Sequence, residues 1–272
     1  MTPIDTGTPD LLAHVDEGVL TLTMNRPEAR NAFSRPMLQA MQQQLVQAEF
    51  DPAVRCIVLT GTGTAFCAGG DVKGMAAASG SAATRTIDEA IHQQRHSQRE
   101  TAGRFFKMPK PTLAVLPGAA AGAGLSLALS CDLRLMSRSA IMTTAFAKVG
   151  FAGDYGGTYF LTQLVGAAKA RELYMLSDRV SADEALRLGL ANWVCEPEAL
   201  AERAREIAQR LAQGPAVAYR YMKENLNRAM AGGVDECLDL EATHHVHCAQ
   251  TEDHRNAAQA FVEKRTPQFK GR

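Results

Sequence analysis

Apolar and polar residues form two different patterns along the first half of the chain. Residues 18–24 alternate at every second position, and predominantly apolar stretches occupy 55–60, 112–116 and 133–136. The alternation predicts a half-buried strand, and the apolar stretches predict buried strands. After the first strand, Ser34 is a suitable N-cap for a helix that continues to Phe50 with one apolar face. Strands that alternate with helices in this way predict an α/β fold with crossover connections.

The apolar spacing becomes almost wholly helical from about residue 158 onward. It predicts helices at 158–165, 167–176, 181–188, 197–212, 215–230, 234–248 and 252–264. Another helix is predicted at 85–107, after an Ala-, Ser- and Gly-rich stretch at 76–84 that is typical of a mobile loop. We therefore expect two parts, an α/β core in residues 1–200 and a helical C-terminal region in 201–272.

The composition narrows the range of partners. The chain of 272 residues carries 29 Lys and Arg against 29 Asp and Glu, so its formal net charge is zero. Since it also lacks a basic run, nothing favours nucleic acid or an anionic membrane as a partner. The N-terminus lacks signal-peptide character, no apolar run approaches the ~20 residues of a membrane helix, and the cysteines form no C-x-x-C pair. We expect a cytoplasmic protein with reduced thiols.

A glycine pair follows the strand predicted at 55–60. Gly69 and Gly70 leave the backbone bare before a segment that can be helical, so amide N–H groups there can approach a ligand oxygen. A second glycine-rich turn, from Pro117 to Gly124, again joins a strand to a helix. Two such turns can supply two N–H donors to one oxygen, which is the arrangement of an oxyanion hole. Taken alone, each glycine cluster is more simply explained by ordinary turn chemistry.

Other polar residues carry weaker signals. The segment Gly124-Leu125-Ser126-Leu127-Ala128 imitates a nucleophile elbow, but a buried helix serine that bonds to its own backbone is the simpler interpretation. His92 and His96 share one face of the helix predicted at 85–107, where exposure to solvent is the default expectation.

The two glycine turns belong to a series of motifs that spans nearly the whole chain. The series consists of Asn25-Arg26-Pro27 with Asn31-Ala32, Phe66 through Lys73, Gly118 through Asp132, Gly150 through Thr158, Ser181 through Leu190, and Phe261 through Arg265. The chain thereby resembles the crotonase family, the enoyl-CoA hydratases and isomerases. The resemblance implies an α/β fold, a crotonase-like spiral of β-β-α units with a helical C-terminal trimerisation region.

The resemblance also implies the chemistry. Members of the family stabilise the enolate of an acyl-CoA thioester with two backbone N–H groups, which by motif position belong to Gly70 and Ala123 in this chain. Residues 1–200 are then expected to hold the acyl-CoA site. Coenzyme A enters as part of the substrate, and no separate cofactor or metal is expected. The expected assembly is a homotrimer or a dimer of trimers.

Two positions depart from the hydratases of the family. Those enzymes carry two catalytic glutamates, and the motifs place Ser126 and Phe146 at the two glutamate positions. Neither side chain can act as a carboxylate base. Asp154 lies where several family isomerases carry a catalytic aspartate, and a single base suits the movement of a proton from one carbon to another. An aspartate before Gly-Gly-Thr is also an ordinary helix N-cap, where the dipole lowers the pKa of the carboxyl group.

The resemblance further implies contacts with coenzyme A. They are backbone contacts near Asn31, Ala32 and Ala68, a phosphate contact by Lys73, and contacts of Phe261 and Lys264 with adenine and phosphate, often on a neighbouring subunit. A solvated helix position explains Lys73 equally well, and a cation in the last helical turn explains Lys264. Tyr155 either hydrogen-bonds the substrate or packs.

Three hypotheses for the function follow. The first is an enoyl-CoA isomerase with Asp154 as acid and base and with the Gly70 and Ala123 amides as enolate donors. The second is an enoyl-CoA hydratase with atypical catalytic acids, namely Asp154 or one of the glutamates that flank the predicted loop, Glu89 and Glu100. The third is a non-catalytic acyl-CoA-binding protein that lacks the glutamates.

Overall fold

The computed structural model describes residues 1–72, 74 and 86–272. Its described strands are β1 (Thr2–Ile4), β2 (Leu11–Asp16), β3 (Val19–Met24), β4 (Cys56–Gly61), β5 (Ala65–Cys67), β6 (Thr112–Leu116), β7 (Ala119–Ala121), β8 (Leu133–Ser137), β9 (Ile141–Thr143), β10 (Val180–Ser181) and β11 (Trp193–Cys195). Its described helices are α1 (Arg35–Phe50), α2 (Ile87–Glu100), α3 (Ala102–Lys107), α4 (Ala123–Ser130), α5 (Gly157–Leu176), α6 (Ala182–Arg187), α7 (Leu200–Ala212), α8 (Ala216–Ala229), α9 (Val234–Ala249) and α10 (Glu252–Val262). The strands form a seven-stranded sheet in the order β1-β2-β3-β4-β6-β8-β11 and a four-stranded sheet in the order β10-β9-β7-β5.

The predominantly apolar stretches are strands of the large sheet whose two faces are both covered. In β4, Cys56 and Val58 belong to the apolar cluster that includes α7, whereas Ile57 and Leu59 belong to the cluster that includes α1. β4, β6 and β8 run parallel in the middle of the sheet. A buried parallel strand has no solvent face, which explains why its sequence is apolar without alternation.

Three successive units build the centre of the fold. In each unit one strand joins the large sheet and the next strand joins the small sheet, in the pairs β4 with β5, β6 with β7, and β8 with β9. A helical segment follows each pair. Because β5, β7 and β9 run parallel, their carboxyl ends lie at one edge of the small sheet. The segments that follow these three strands are therefore brought together.

Most of the predicted elements are present. β3, β4, β6 and β8 confirm the four predicted strands, and α1 begins after Ser34, whose hydroxyl accepts a hydrogen bond from the Met37 amide at 3.2 Å. Within α5, Gly166 has non-helical angles (φ 76°, ψ 163°), which confirms the predicted division between 158–165 and 167–176. α6 to α10 confirm the remaining C-terminal helices.

Two predictions need correction. The segment predicted as one helix at 85–107 contains α2 and α3, because the chain breaks at Thr101 (φ −118°, ψ −88°). The region after residue 158 is less wholly helical than predicted, since β11 pairs in parallel with β8 at the edge of the large sheet. The loop predicted at 76–84 lies outside the described residues. The division of the chain at residue 200 stays a prediction.

Two further features concern the whole described chain. All six cysteines are free thiols. None of the described helices combines the length and the apolar composition that crossing a bilayer requires.

Candidate active site

The carboxyl edge of the small sheet brings the two glycine turns together. β5 leads into Gly69 and Gly70, and its parallel neighbour β7 leads into Gly122 and Ala123. A Cβ atom added to Gly69 would lie 2.8 Å from the Ala121 backbone oxygen and 3.0 Å from the Ala123 backbone nitrogen. Only a glycine fits so close to the neighbouring backbone, and its φ of +88° also favours glycine.

The second turn is packed just as closely. A Cβ atom on Gly124 would lie 2.5 Å from the Cys67 oxygen and 2.8 Å from its sulfur, so α4 begins directly against the end of β5. The thiol of Cys67 donates to the Asn31 oxygen at 3.0 Å and accepts from the Gly69 amide at 3.3 Å. Burial raises the pKa of this thiol to about 12, so Cys67 stays neutral and serves the packing.

Two backbone amides at this edge have no acceptor in the part of the chain that the structure describes. Among the described residues, nothing accepts a hydrogen bond from the backbone N–H of Gly70 or of Ala123. Ala123 is the first residue of α4, and the first N–H groups of a helix have no intrahelical partner. Each is thus a free donor on one of two adjoining turns, as an oxyanion hole requires.

A cavity of about 860 Å³ joins these donors to the carboxylate predicted from the sequence. Gly70, Ala123, Asp154 and Tyr155 all line it. The rest of its described wall comes mainly from α1, with the residues just before it, and from the second half of α2. The cavity has the size of a small-molecule site, and most of the described residues that line it are polar.

Asp154 is not the N-cap of α5, so that interpretation of the sequence is wrong. The helix begins at Gly157, and its N-cap is Gly156, which makes no side-chain capping bond. The Oδ1 atom of Asp154 is buried and has no hydrogen-bond partner in the described structure. Burial raises the pKa of the carboxyl group from 3.8 to about 6, opposite to the effect expected of a cap.

The two residues at the hydratase glutamate positions form the wall behind Asp154. Ser126 is buried in α4 and donates to the Gly122 oxygen at 3.2 Å, which confirms its interpretation as a helix serine bonded to its own backbone. Phe146 is also buried and stacks on Tyr174, with ring centroids 5.7 Å apart and planes 12° apart. Neither side chain supplies a proton acceptor of carboxylate strength to the cavity.

Tyr155 is tied into the cavity wall. Its hydroxyl lies 3.1 Å from the Ser97 hydroxyl, and its backbone amide donates to Gln98 Oε1 at 2.7 Å. Its ring packs against Phe33 with centroids 5.3 Å apart. Ser97 and Gln98 thus hold the Asp154–Tyr155 turn from α2. No local sequence signal predicts this role, because more than fifty positions separate the partners.

The predicted contacts to coenzyme A lie in two places. Asn31, Ala32 and Ala68 lie beside the Gly69 turn, where the Asn31 side chain is fully buried and donates to the Thr62 and Ala65 oxygens. Asn31 therefore holds the turn with its side chain, while its backbone N–H donates to the Arg26 oxygen at 2.8 Å and its backbone oxygen accepts from Cys67. Phe261, which is 86% exposed, lies at the end of α10, and neither it nor Lys264 lines the cavity. Lys73 lies outside the described residues.

The other polar candidates lie in different settings. Glu89 forms a capping box with Thr86 at the start of α2, and Glu100 pairs with Arg104 at 2.5 Å. Neither glutamate lines the cavity. His92 and His96 are both exposed, which confirms the prediction of a solvent-exposed helix face, and His96 also lines the cavity.

Residues 14–272 match the sequence model of one protein family, which is described as enoyl-CoA hydratase/isomerase. The chain is 36% identical over 269 residues to the 1,2-epoxyphenylacetyl-CoA isomerase of Escherichia coli, covering 96% of this chain and 98% of the relative. It is 34% identical to the short-chain-enoyl-CoA hydratase of Clostridium acetobutylicum, covering 91% and 92% of the two chains.

Solved structures agree with the sequence matches. The crystal structure of an enoyl-CoA hydratase from Polaromonas superposes with a TM-score of 0.88 at 32% identity, over 95% of this chain and 99% of that one. The strand pairs that run through both sheets are thus the spiral of β-β-α units predicted from the motifs. The chain therefore belongs to the enoyl-CoA hydratase/isomerase family, the crotonases, which are enzymes that act on acyl-CoA thioesters.

Proposed function

We propose that this enzyme is an enoyl-CoA isomerase in which Asp154 moves a proton between two carbons of an acyl-CoA. The observation that carries the proposal is the shared cavity, which places this carboxylate in one site with the free amides of Gly70 and Ala123. Among the described residues that line the cavity, the other carboxylate is Asp71, which pairs with Arg26 at 3.2 Å. Asp154 is thus the best-placed base.

In the proposed reaction, Asp154 takes a proton from the α carbon of a β,γ-unsaturated acyl-CoA. The electron pair of that C–H bond moves onto the thioester oxygen, which accepts hydrogen bonds from Gly70 and Ala123 as a dienolate. The dienolate then collapses, the γ carbon takes the proton back from Asp154, and the α,β double bond forms. The reaction needs no cofactor beyond the coenzyme A of the substrate.

The raised pKa supports this role. A group that both accepts and returns a proton works best when its pKa lies near the operating pH, and burial raises the pKa of Asp154 to about 6. The isomerase name of the Escherichia coli relative points in the same direction.

Hydration is the second candidate function. The name of the Clostridium relative favours it, and Asp154 would then activate a water molecule for attack on an α,β-unsaturated acyl-CoA. Absorbance of the conjugated thioester separates the two activities. An isomerase creates this absorbance from β,γ-unsaturated acyl-CoAs and leaves the α,β-unsaturated isomers at their equilibrium, whereas a hydratase removes it. Rapid, complete loss of the conjugated absorbance on a panel of α,β-unsaturated acyl-CoAs contradicts the isomerase proposal.

The proposal extends to coenzyme A and to the assembly. We infer that the backbone at Asn31, Ala32 and Ala68 contacts coenzyme A, that Lys73 contacts its phosphates, and that Phe261 and Lys264 contact the coenzyme A of a neighbouring subunit. We further infer a cytoplasmic location and an assembly as a trimer or a dimer of trimers. The assembly is supported by exposed apolar side chains on the C-terminal helices, which include Leu226, Val234, Val246 and Phe261. Light scattering coupled to size-exclusion chromatography tests the assembly, and a monomer contradicts it.

A further inference from the structure

Two buried polar atoms without hydrogen-bond partners in the described structure meet at the turn 153–157: Asp154 belongs to the turn, and Tyr174 packs against it. Among the described residues, three buried side-chain nitrogen or oxygen atoms have no hydrogen-bond partner, and two of these are Asp154 Oδ1 and the Tyr174 hydroxyl. Buried polar groups are nearly always hydrogen-bonded, so each exception calls for an explanation. A carboxylate oxygen accepts and a phenol hydroxyl donates, so the two atoms are chemically complementary.

Two glycines show how closely Tyr174 approaches the turn that carries Asp154. A Cβ atom on Gly153 would lie 3.0 Å from Cε1 of the Tyr174 ring and 3.4 Å from its hydroxyl. A Cβ atom on Gly157 would lie 2.5 Å from the same hydroxyl. The backbone amide of Gly157 in turn donates to the backbone carbonyl oxygen of Asp154 at 3.0 Å. The hydroxyl is therefore packed against both ends of the turn 153–157.

The Tyr174 ring is held in this position from its other side. Its stack on Phe146 fixes the ring plane, and Phe146 itself is buried next to Gly122, the residue that precedes the Ala123 donor. Burial, with a smaller contribution from the Asp154 charge, raises the pKa of Tyr174 to about 12, and the neighbouring Ser126 hydroxyl acts in the opposite direction. The hydroxyl consequently keeps its proton over the whole range in which Asp154 titrates.

We propose that Tyr174 is a positioning residue for Asp154, whose hydroxyl donates a hydrogen bond to Oδ1 when acyl-CoA occupies the cavity. The bond forms directly after a small rotation of the carboxylate, or through one bridging water. Catalytic hydrogen bonds are often long in unliganded enzymes and tighten in the complex. With Oδ1 held from behind, Oδ2 is the oxygen left to face the cavity and exchange the proton. The inference rests on the proposed role of Asp154 as the base.

The direction of the effect follows from the hydrogen bond. A donor to the carboxylate stabilises its charged form, so loss of the Tyr174 hydroxyl raises the pKa of Asp154. The variant Tyr174→Phe keeps the ring and its stack on Phe146 and removes the hydroxyl alone. Tyr159→Phe is the matched control, because Tyr159 lies on the same helix, is 39% exposed and does not line the cavity.

The test is an infrared titration of the Asp154 carboxyl band in the full-length protein saturated with a non-reactive saturated acyl-CoA. The band is identified by its loss in Asp154→Asn. We expect the apparent pKa to rise by about one unit in Tyr174→Phe and to stay unchanged in Tyr159→Phe. The acid limb of the pH profile of kcat on a β,γ-unsaturated acyl-CoA, which reports the enzyme–substrate complex, should move by the same amount, with KM within about twofold of wild type.

Each outcome has one meaning. If Tyr174→Phe is folded, as judged by a cooperative thermal transition, and the carboxyl titration and the acid limb do not move, the positioning role is wrong and the tyrosine only packs. If Tyr174→Phe does not fold, the same titration is carried out on Ser126→Ala, which removes the other hydroxyl packed on Gly157. We expect the pKa of Asp154 to stay within a few tenths of wild type in that variant. A large shift there overturns the assignment to Tyr174. If Asp154→Asn keeps full turnover while Tyr174→Phe still shifts the carboxyl titration, the proposed function fails and the hydrogen bond stands.

Discussion

The two sides of the cavity are built by different means. On one side, Gly70 and Ala123 present backbone amides, and the parallel pairing of β5 with β7 and close glycine contacts fix those amides in place. On the other side, Asp154 and Tyr155 present side chains. A backbone donor survives most substitutions, whereas a side-chain acid disappears with one. If the amides hold an enolate as proposed, this difference accounts for relatives that are named as isomerases and as hydratases.

The largest expected effect comes from removing the acid on the side-chain side. Asp154→Asn keeps the shape of the side chain and cannot exchange a proton, so kcat on a β,γ-unsaturated acyl-CoA should fall about 10³-fold. Affinity for the acyl-CoA, measured by calorimetry, should change little, because the amide donors remain. A variant that keeps turnover within tenfold of wild type would place the base elsewhere.

The next effect comes from removing one donor on the backbone side. Ala123→Pro deletes a single N–H at the first position of α4, where a helix accepts proline. Loss of one oxyanion donor costs about 3 kcal/mol of barrier stabilisation, so kcat should fall roughly 10²-fold. The control Ala123→Gly keeps the N–H and should retain most of the activity. Equal losses in both variants would mean that the side chain, rather than the amide, matters at this position.

Crowding of the turn that carries Asp154 should have an intermediate effect. A Cβ atom on Gly157 would lie 2.2 Å from Ser126 Oγ and 2.5 Å from the Tyr174 hydroxyl, so Gly157→Ala must displace the turn. We expect a loss of about 1–3 kcal/mol in the free energy of unfolding, together with lower kcat. Gly103→Ala is the control, since its Cβ makes only an ordinary contact at 3.5 Å. Denaturant unfolding measures both, and a fully stable Gly157→Ala would refute the close packing.

The smallest expected effect concerns the pH dependence of the free energy of unfolding. Because the folded pKa of Asp154 is raised from 3.8 to about 6, its charge costs stability as pH rises between these values, and the cost stays constant above them. Asp154→Asn removes the charge and should be more stable than wild type by about 1–2 kcal/mol above pH ~6, after allowance for solvent screening. The gain should vanish below pH ~4. A gain that does not vary with pH would mean that burial of the charge is not its cause.

The backbone side was largely predictable from the sequence. Glycine pairs at strand–helix junctions leave a clear mark in the sequence, and Gly69 and Gly124 occupy positions where a Cβ atom would collide with neighbouring atoms. The long buried strands and the C-terminal helices were predictable for a similar reason, since apolar periodicity is strong over many residues.

The side-chain side was less predictable because it depends on distant partners. The sequence left Asp154 open between a base and a helix cap, and only the start of α5 at Gly157 decides against the cap. Tyr174 and Gln98 had no local signal, since α5 and α2 bring them to the turn through the tertiary fold. The three-residue strands β5, β7 and β9 also lack periodicity, although they align the whole site.

The transfer of a deuterium label tests the central claim most directly. A β,γ-unsaturated acyl-CoA labelled at its α carbon is converted by the enzyme in ordinary water, and mass spectrometry with NMR locates the label in the product. If Asp154 is the single base that removes and returns the proton, part of the deuterium will appear at the γ carbon, and Asp154→Asn will form almost none of this product. A product that carries only solvent hydrogen at the γ carbon, or hydrated acyl-CoA in place of the isomer, would contradict the account.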